Sequence, residues 1–210
     1  MPNEEPWRIV PVDDSEYKKV RVRDEARIRE VVRHVQALTC VALIGPPLTE
    51  KTRLLQDVAG VLRLTGIHRP VYIDLWRTRS SDDATFFTSA AQVIYRAVGD
   101  EQAEFPKSVP DARSFQNYLA ACARYPRNTG RHLVLLIDHL QALPHDLVHS
   151  LLLALRSTIM EKVGDDTPQL TAVVTGGINL SGLAAGPTSP FNIARIVLVP
   201  ALSAEQTRAL

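Results

Sequence analysis

Five apolar segments alternate along the chain with segments in which apolar residues recur every three or four positions. The apolar segments predict strands at 39–44, 70–75, 132–138, 170–175 and 194–198. The periodic segments predict helices at 24–37, 51–65, 83–98, 112–124 and 146–163. Strands that are apolar on both faces and alternate with helices are typical of parallel sheets covered on both sides. We therefore predict an α/β fold, a three-layer αβα sandwich around a mostly parallel five-stranded sheet.

Length and charge narrow the class of protein. The 210 residues are enough for one sizeable core. The chain has 24 basic and 23 acidic side chains and a net charge of +1, so no overall field attracts nucleic acid or anionic membrane, and we expect neither as a partner. The longest apolar runs, 41–44 and 133–137, are far shorter than the roughly 20 residues that cross a bilayer. The first residues are acidic and lack the pattern of a secretion signal, which indicates a cytoplasmic protein.

The first predicted strand leads into a loop whose composition is typical of phosphate binding. Residues 45–52 read Gly-Pro-Pro-Leu-Thr-Glu-Lys-Thr and lie between a strand and a helix, the context that a P-loop requires. In such a loop, backbone N–H groups surround phosphate oxygens at the N-terminus of the helix. We expect the Lys51 ammonium on the β- and γ-phosphates and the Thr52 hydroxyl on Mg²⁺. The candidate nucleotide-binding residues of the loop are Gly45, Pro46, Pro47, Leu48, Thr49, Glu50, Lys51 and Thr52.

One position of this loop departs from the motif. The pattern has Gly, four residues, Gly, Lys and then Ser or Thr, and this chain has Glu50 at the second Gly. Glu50 adds a carboxylate beside the phosphates and a Cβ where the loop normally bends without one, and both lower the affinity. Two interpretations stay open, a weakened site or a loop whose carboxylate turns to solvent. The alternative to a P-loop is a solvated Lys-Thr pair that opens a surface helix.

The third predicted strand ends in an acid. Residues 133–138 read Leu-Val-Leu-Leu-Ile-Asp, the Walker B pattern, in which the carboxylate of Asp138 holds the Mg²⁺ shell; a turn cap is the alternative role. ATPases of the AAA type usually continue with Glu, which polarises the attacking water, whereas this chain has His139. A histidine can orient water or take a proton, but in this position it indicates slow hydrolysis or none. Asp74, at the end of the second strand, is a further candidate for positioning water or a simple cap.

Six sequence features follow one another in a fixed order over nearly the whole chain. They are Tyr17…Arg23-Asp24-Glu25, the loop 45–52, the strand 71–75, the strand 133–138, Thr175-Gly176-Gly177 and the segment 189–194 with its specific Ser-Pro-Phe-Asn start. This series resembles the bacterial AAA-like domain of STAND-type signalling ATPases. The resemblance implies a P-loop NTPase fold, ATP or ADP with Mg²⁺ as ligands, and Thr175 as a sensor whose polar side chain faces the γ-phosphate.

The expected organisation follows from these features. We predict an N-terminal arm at 1–22, an AAA-like nucleotide-binding domain at 23–202 and the start of a helical lid at 203–210, so that the lid is missing or truncated. The expected function is a nucleotide-dependent switch in signalling or defence, with weak or absent hydrolysis. Its protein partners would bind through the missing lid or through effector modules, and a homo-oligomer is left open.

Two other functions stay open. The first is a degenerate, nucleotide-free P-loop scaffold for protein–protein interaction. The second is a DNA-associated ATPase related to origin-recognition or transposition helper proteins, a class that shares the same motifs. The near-neutral charge argues against the second, although residues 124–131 carry three arginines.

Overall fold

The computed structural model describes residues 24–78, 80, 82–98, 108–124, 131–161, 169–177, 182 and 189–201. The predicted arm at 1–22 and the predicted lid segment at 203–210 lie outside the described residues. The same holds for Tyr17 and Arg23 of the family resemblance, and for residues 125–130 of the arginine-bearing segment. The division of the chain into these parts stays a prediction.

Six helices and five strands are described, and all ten predicted elements are among them. The helices are α1 (Glu25–Gln36), α2 (Lys51–Leu64), α3 (Leu75–Thr78), α4 (Asp83–Val98), α5 (Ala112–Arg124) and α6 (His145–Met160). The strands are β1 (Cys40–Ile44), β2 (His68–Asp74), β3 (His132–Asp138), β4 (Leu170–Gly176) and β5 (Ala194–Leu198). The short helix α3 and a 3-10 turn, Leu140–Ala142, were not predicted. Both are too short to show a helical period.

The five strands form one sheet in the order β2-β3-β4-β1-β5, and each neighbouring pair is parallel. The predicted α/β fold with its five-stranded sheet is therefore confirmed. Because all strands run the same way, their carboxyl ends share one edge of the sheet. The ends of β3, β4 and β1 are adjacent there, so the residues that follow these strands meet although they are far apart in sequence.

Two apolar cores lie on opposite faces of the sheet. One contains buried side chains of α4, α5 and α6, including Phe86, Phe87 and Phe115, and the other contains those of α1 and α2. The strands supply both cores alternately, as in β1, where Ala42 belongs to the first and Leu43 to the second. This arrangement explains the continuous apolar runs, since every residue of β3 is buried. Among the described helices, none has the length and apolar character needed to cross a bilayer.

A pair of buried histidines lies at the amino-terminal edge of the sheet. His68 and His132 begin β2 and β3, are partners in the strand register and have ring centroids 6.0 Å apart. His132 Nε2 lies 2.8 Å from the hydroxyl of Thr171, and His68 Nδ1 lies 2.9 Å from that of Thr65. Burial, with a smaller effect of His68, lowers the pKa of His132 to about 4, and burial also lowers the pKa of His68. These rings are held neutral.

We expect this pair to make the fold acid-sensitive. Because the pKa of His132 is lower in the folded than in the unfolded protein, its contribution to stability is present above about pH 6.5 and is lost towards about pH 4. Between about pH 7.5 and about pH 5, His132 alone accounts for a loss of roughly 2 kcal/mol in the free energy of unfolding. Urea unfolding at the two pH values should therefore show a smaller loss in His132→Gln than in the parent. His145→Gln, a change at an exposed histidine, is the control and should lose as much stability as the parent. A loss in His132→Gln as large as that of the parent would contradict the prediction.

Candidate nucleotide-binding site

The loop between β1 and α2 turns through two left-handed residues that are not glycine. Leu48 has φ 61° and Glu50 has φ 57°. This region of backbone space is strained for residues with a Cβ and is favoured by glycine. The sequence motif, which has Gly at position 50, indicated that a residue with a Cβ is unfavourable there. It gave no such indication for Leu48, because its motif position accepts any residue. Glu50 is half-buried at the N-cap of α2 and makes no side-chain capping bond, whereas the Leu48 side chain is 93 % exposed.

At the base of the loop, the backbone at Gly45 lies very close to the backbone at Val199. The N–H of Val199, just after β5, donates to the carbonyl of Ile44 at 2.8 Å, and the N–H of Gly45 donates to the carbonyl of Gly176 at 3.3 Å. A Cβ on Gly45 would lie 2.2 Å from the carbonyl oxygen of Val199. Only glycine allows this approach, so the first residue of the motif is required by the packing of β5 as well as by the turn.

The Lys51 side chain closes the loop. Its Nζ donates to the carbonyl of Gly45 at 3.0 Å and to the carbonyl of Pro46, and it lies 3.1 Å from the Thr49 hydroxyl. The Thr49 hydroxyl itself donates to the Pro46 carbonyl at 2.9 Å. Burial lowers the pKa of Lys51, and the negative charge of Asp138 opposes that shift. A positive charge thus stands at the N-terminus of α2, where a helix already favours anions.

Asp138 is completely buried at the end of β3, and both of its carboxylate oxygens accept hydrogen bonds. Oδ1 accepts from the Thr175 hydroxyl and, at 2.9 Å, from the backbone N–H of His139. Oδ2 accepts from the Tyr72 hydroxyl at 2.8 Å. Burial and then the bond to Asp138 raise the pKa of Tyr72. The predicted residues Asp138 and Thr175 are therefore in direct contact.

Tyr72 is a site residue that the sequence analysis missed. It stands two positions before Asp74 in β2, and side chains two apart along a strand lie on the same face of a sheet. That spacing was the available signal. It could not show that the phenol reaches the neighbouring strand, because the contact depends on the pairing of Tyr72 with Leu136 and of Asp74 with Asp138.

The imidazole of His139 lies among the predicted metal and catalytic residues. Its Nε2 is 3.3 Å from the Thr52 hydroxyl, and its Nδ1 is 3.2 Å from Oδ1 of Asp74 and 3.6 Å from Oδ2 of Asp138. Because carboxylates only accept, Nδ1 carries the hydrogen, and in the neutral ring Nε2 accepts from Thr52. The ring is half-buried and packs edge-on to Trp76, with centroids 6.3 Å apart.

The structure brings most of the predicted site residues together and leaves a few outside. Thr52, Asp74, Asp138, His139 and Thr175 form one connected group at the carboxyl edge of the sheet. Gly45, Pro46 and Thr49 contact Lys51, whose pKa is influenced by the charge of Asp138. Pro47 is exposed, as is the side chain of Leu48. The role of these two residues in binding a ligand stays a prediction.

The expected magnesium ligands do not fit a metal ion in this arrangement. A hydroxyl and a carboxylate are donors of the kind that Mg²⁺ prefers, but Mg²⁺ also demands short, near-octahedral bonds. Here the oxygens of Asp138 already accept three hydrogen bonds, and the His139 ring connects Thr52 with Asp74. Thr52 and Asp138 as magnesium ligands stay a prediction that this geometry does not support.

No protein-family model matches the chain, and no curated protein matches it either. Several solved structures do. Cdc6p from Pyrobaculum aerophilum superposes with a TM-score of 0.62 at 20 % identity, over 93 % of this chain and 51 % of that one. The ORC2 protein of Aeropyrum pernix, solved as ADPNP-ADP complexes, gives a TM-score of 0.57 at 13 % identity, over 96 % of this chain and 52 % of that one. Drosophila ORC bound to DNA gives a TM-score of 0.58 at 13 % identity, over 92 % of this chain and 47 % of that one.

These likenesses define the fold. The chain has the α/β fold of AAA+ P-loop NTPases, as the Cdc6 and ORC proteins do. It spans about half the length of those proteins. The narrower resemblance to bacterial STAND-type ATPases stays a prediction.

The approach of Gly45 to Val199 is testable with a matched pair of glycines. We expect Gly45→Ala to destabilise the protein by about 1–3 kcal/mol, because the new methyl group meets backbone that cannot move aside cheaply. Gly60 lies inside α2, and a Cβ there meets nothing within 4 Å, so Gly60→Ala should stabilise by about 0.5–1 kcal/mol. Urea unfolding of both variants measures the difference. Changes of the same sign at the two positions would contradict the expected role of Gly45.

Proposed function

We propose that this chain binds ATP or ADP through the loop 45–52 and serves as a nucleotide-dependent switch with slow or absent hydrolysis. The observation that carries the proposal is the Lys51 ammonium, held by the carbonyls of Gly45 and Pro46 at the N-terminus of α2. A phosphate at this position meets a fixed positive charge and the N-terminus of a helix, which favours anions. The AAA+ fold supports the same ligand class.

Slow hydrolysis is supported by the engagement of both candidate catalytic residues. His139 Nδ1 donates to Asp74, and Nε2 faces the Thr52 hydroxyl, so neither ring nitrogen is free to take a proton from water. Asp74 also accepts from the backbone N–H of Trp76 and pairs with Arg77. In the proposal these residues hold the edge of the sheet together and do not activate water.

The switch would operate through Thr175. Its hydroxyl donates to Asp138, and its oxygen accepts from the N–H of His139 at 3.1 Å, so it joins β4 to the end of β3. A γ-phosphate that attracts this hydroxyl would weaken its bond to Asp138, and that difference distinguishes ATP from ADP. A role in signalling or defence, which the sequence resemblance implies, completes the proposal, together with the cytoplasmic location and the protein partners expected from the sequence; self-association stays open.

A DNA-associated ATPase is the second candidate, and one observation favours it. The structures similar to this chain include Drosophila ORC bound to DNA, in contrast to the expectation from net charge that nucleic acid is not a partner. A shift assay on duplex DNA at two salt concentrations tests it, because phosphate contacts weaken steeply with salt.

The binding proposal is tested by calorimetry with ADP. We expect binding by the parent and its loss in Lys51→Ala, because the alanine removes the charge at the centre of the loop. ADP at about 100 times its Kd should stabilise the parent against unfolding by about 2.7 kcal/mol. Arg63→Ala, an exposed change at the other end of α2, is the control and should leave binding unchanged. Absence of binding by a folded parent would favour the nucleotide-free scaffold, and binding that survives Lys51→Ala would place the ligand elsewhere.

The cost of the Glu50 carboxylate can be separated from the cost of its backbone strain. Glu50→Gly removes both a left-handed residue with a Cβ and a negative charge beside the loop, whereas Leu48→Gly removes only the strain. We therefore expect Glu50→Gly to tighten ADP binding by about five- to tenfold and Leu48→Gly to change it by less than about twofold. Calorimetry measures both. Equal effects of the two changes would show that the charge is not the cause.

A further inference from the structure

Two carboxylates lie side by side at the end of the sheet. Asp74 and Asp138 are register partners on the neighbouring strands β2 and β3 and belong to the same face. Like charges directly opposite one another across a strand pair are destabilising. Arg77 pairs with Asp74, and the hydroxyls of Tyr72 and Thr175 donate to Asp138. A donor beside both carboxylates reduces their repulsion further.

The His139 side chain supplies that donor. Its Nδ1 lies 3.2 Å from Asp74 and 3.6 Å from Asp138, and the other side of the ring reaches the Thr52 hydroxyl at 3.3 Å. A cation shared by Thr52 and the two acids would contact these same groups. The imidazole thus stands among the groups that such a cation would contact.

The ring is held in this place by its own backbone. His139 is left-handed, with φ 63°, and its N–H donates to both Asp138 and Thr175. Its carbonyl accepts from the N–H of Ala142 at 2.8 Å, which starts the 3-10 turn, and the ring packs against Trp76. Moving the ring out would break its contacts with Thr52 and Asp74 and separate it from the Trp76 ring.

We propose that His139 replaces the divalent cation in this site, so that the protein binds its nucleotide as a metal-free di- or triphosphate. The inference rests on the proposed nucleotide binding and specifies the form of the ligand. Lys51 and the N-terminus of α2 balance the phosphate charge, and the His139 ring accepts from Thr52 and donates to Asp74. Magnesium then adds little to the affinity.

Calorimetry with ADP in Mg²⁺ and in EDTA tests this proposal. For the parent we expect Kd values that agree within about threefold in the two media. In His139→Asn the shorter side chain no longer bridges Thr52 and the acids, and asparagine tolerates the left-handed backbone. Magnesium should then tighten ADP binding by about tenfold or more. His145→Asn, an exposed change, is the matched control and should behave as the parent does.

The outcomes separate this proposal from the binding proposal. If the affinity of the parent for ADP falls by about tenfold or more in EDTA, the protein binds ADP but needs the cation. That result overturns only the role of His139. A His139→Asn variant that gains nothing from magnesium also overturns it. No binding in either medium overturns the nucleotide proposal, and this one with it.

A second measurement needs no change at His139. The chain has two tryptophans, Trp7 and Trp76, so Trp7→Phe leaves Trp76 as the sole tryptophan, next to the His139 ring. Adding Mg²⁺ to the ADP-loaded Trp7→Phe protein should leave the Trp76 emission unchanged, because the ring does not move. A magnesium-dependent change in emission would overturn the proposal.

Discussion

The buried carboxylate of Asp138 is the constraint on which the site depends. A carboxylate without solvent must be hydrogen-bonded, since leaving it unsatisfied costs several kcal/mol. Three donors meet this need, the phenol of Tyr72 from β2, the hydroxyl of Thr175 from β4 and the N–H of His139. Through them one side chain joins three neighbouring strands at their carboxyl ends. The same carboxylate acts on Lys51 across the loop, so the Lys51 ammonium and the sheet edge form one electrostatic unit.

Backbone strain is concentrated around this unit. Among the described residues, four that are not glycine have positive φ, and three of them, Leu48, Glu50 and His139, belong to the site. Strained conformations persist where the surrounding structure holds them, and the two cores that enclose the sheet do so here. At Glu50 and His139, the residues that depart from the motif are also the strained ones. This coincidence fits a site kept for binding and altered in its chemistry.

The parallel direction of the strands and the alternation of their side chains explain why much of the site was predictable. Every predicted strand is present, and the carboxyl ends of parallel strands share an edge, so Asp138, Thr175 and the loop after β1 were expected at one edge of the sheet. The sheet order then makes them neighbours. Their common face follows from the period of two, which also places Tyr72 with Asp74. The contact of Tyr72 with Asp138 could not be predicted, because it requires the register of β2 against β3. The motif asks for glycine at position 45, but the packing reason for it could not be predicted either. That reason depends on where the chain leaves β5.

The sequence by itself determined the order of strands and helices, the apolar faces and the presence of Lys51, Thr52 and Asp138 at the ends of their elements. These are local properties, which periodicity and turn chemistry express directly. Only the tertiary structure decided what those side chains contact. The imidazole of His139 reaches Thr52 and Asp74, 87 and 65 positions away, because the sheet order brings their elements together. A sequence shows a histidine in place of a glutamate, but only the fold shows that its ring lies between the Thr52 hydroxyl and Asp74.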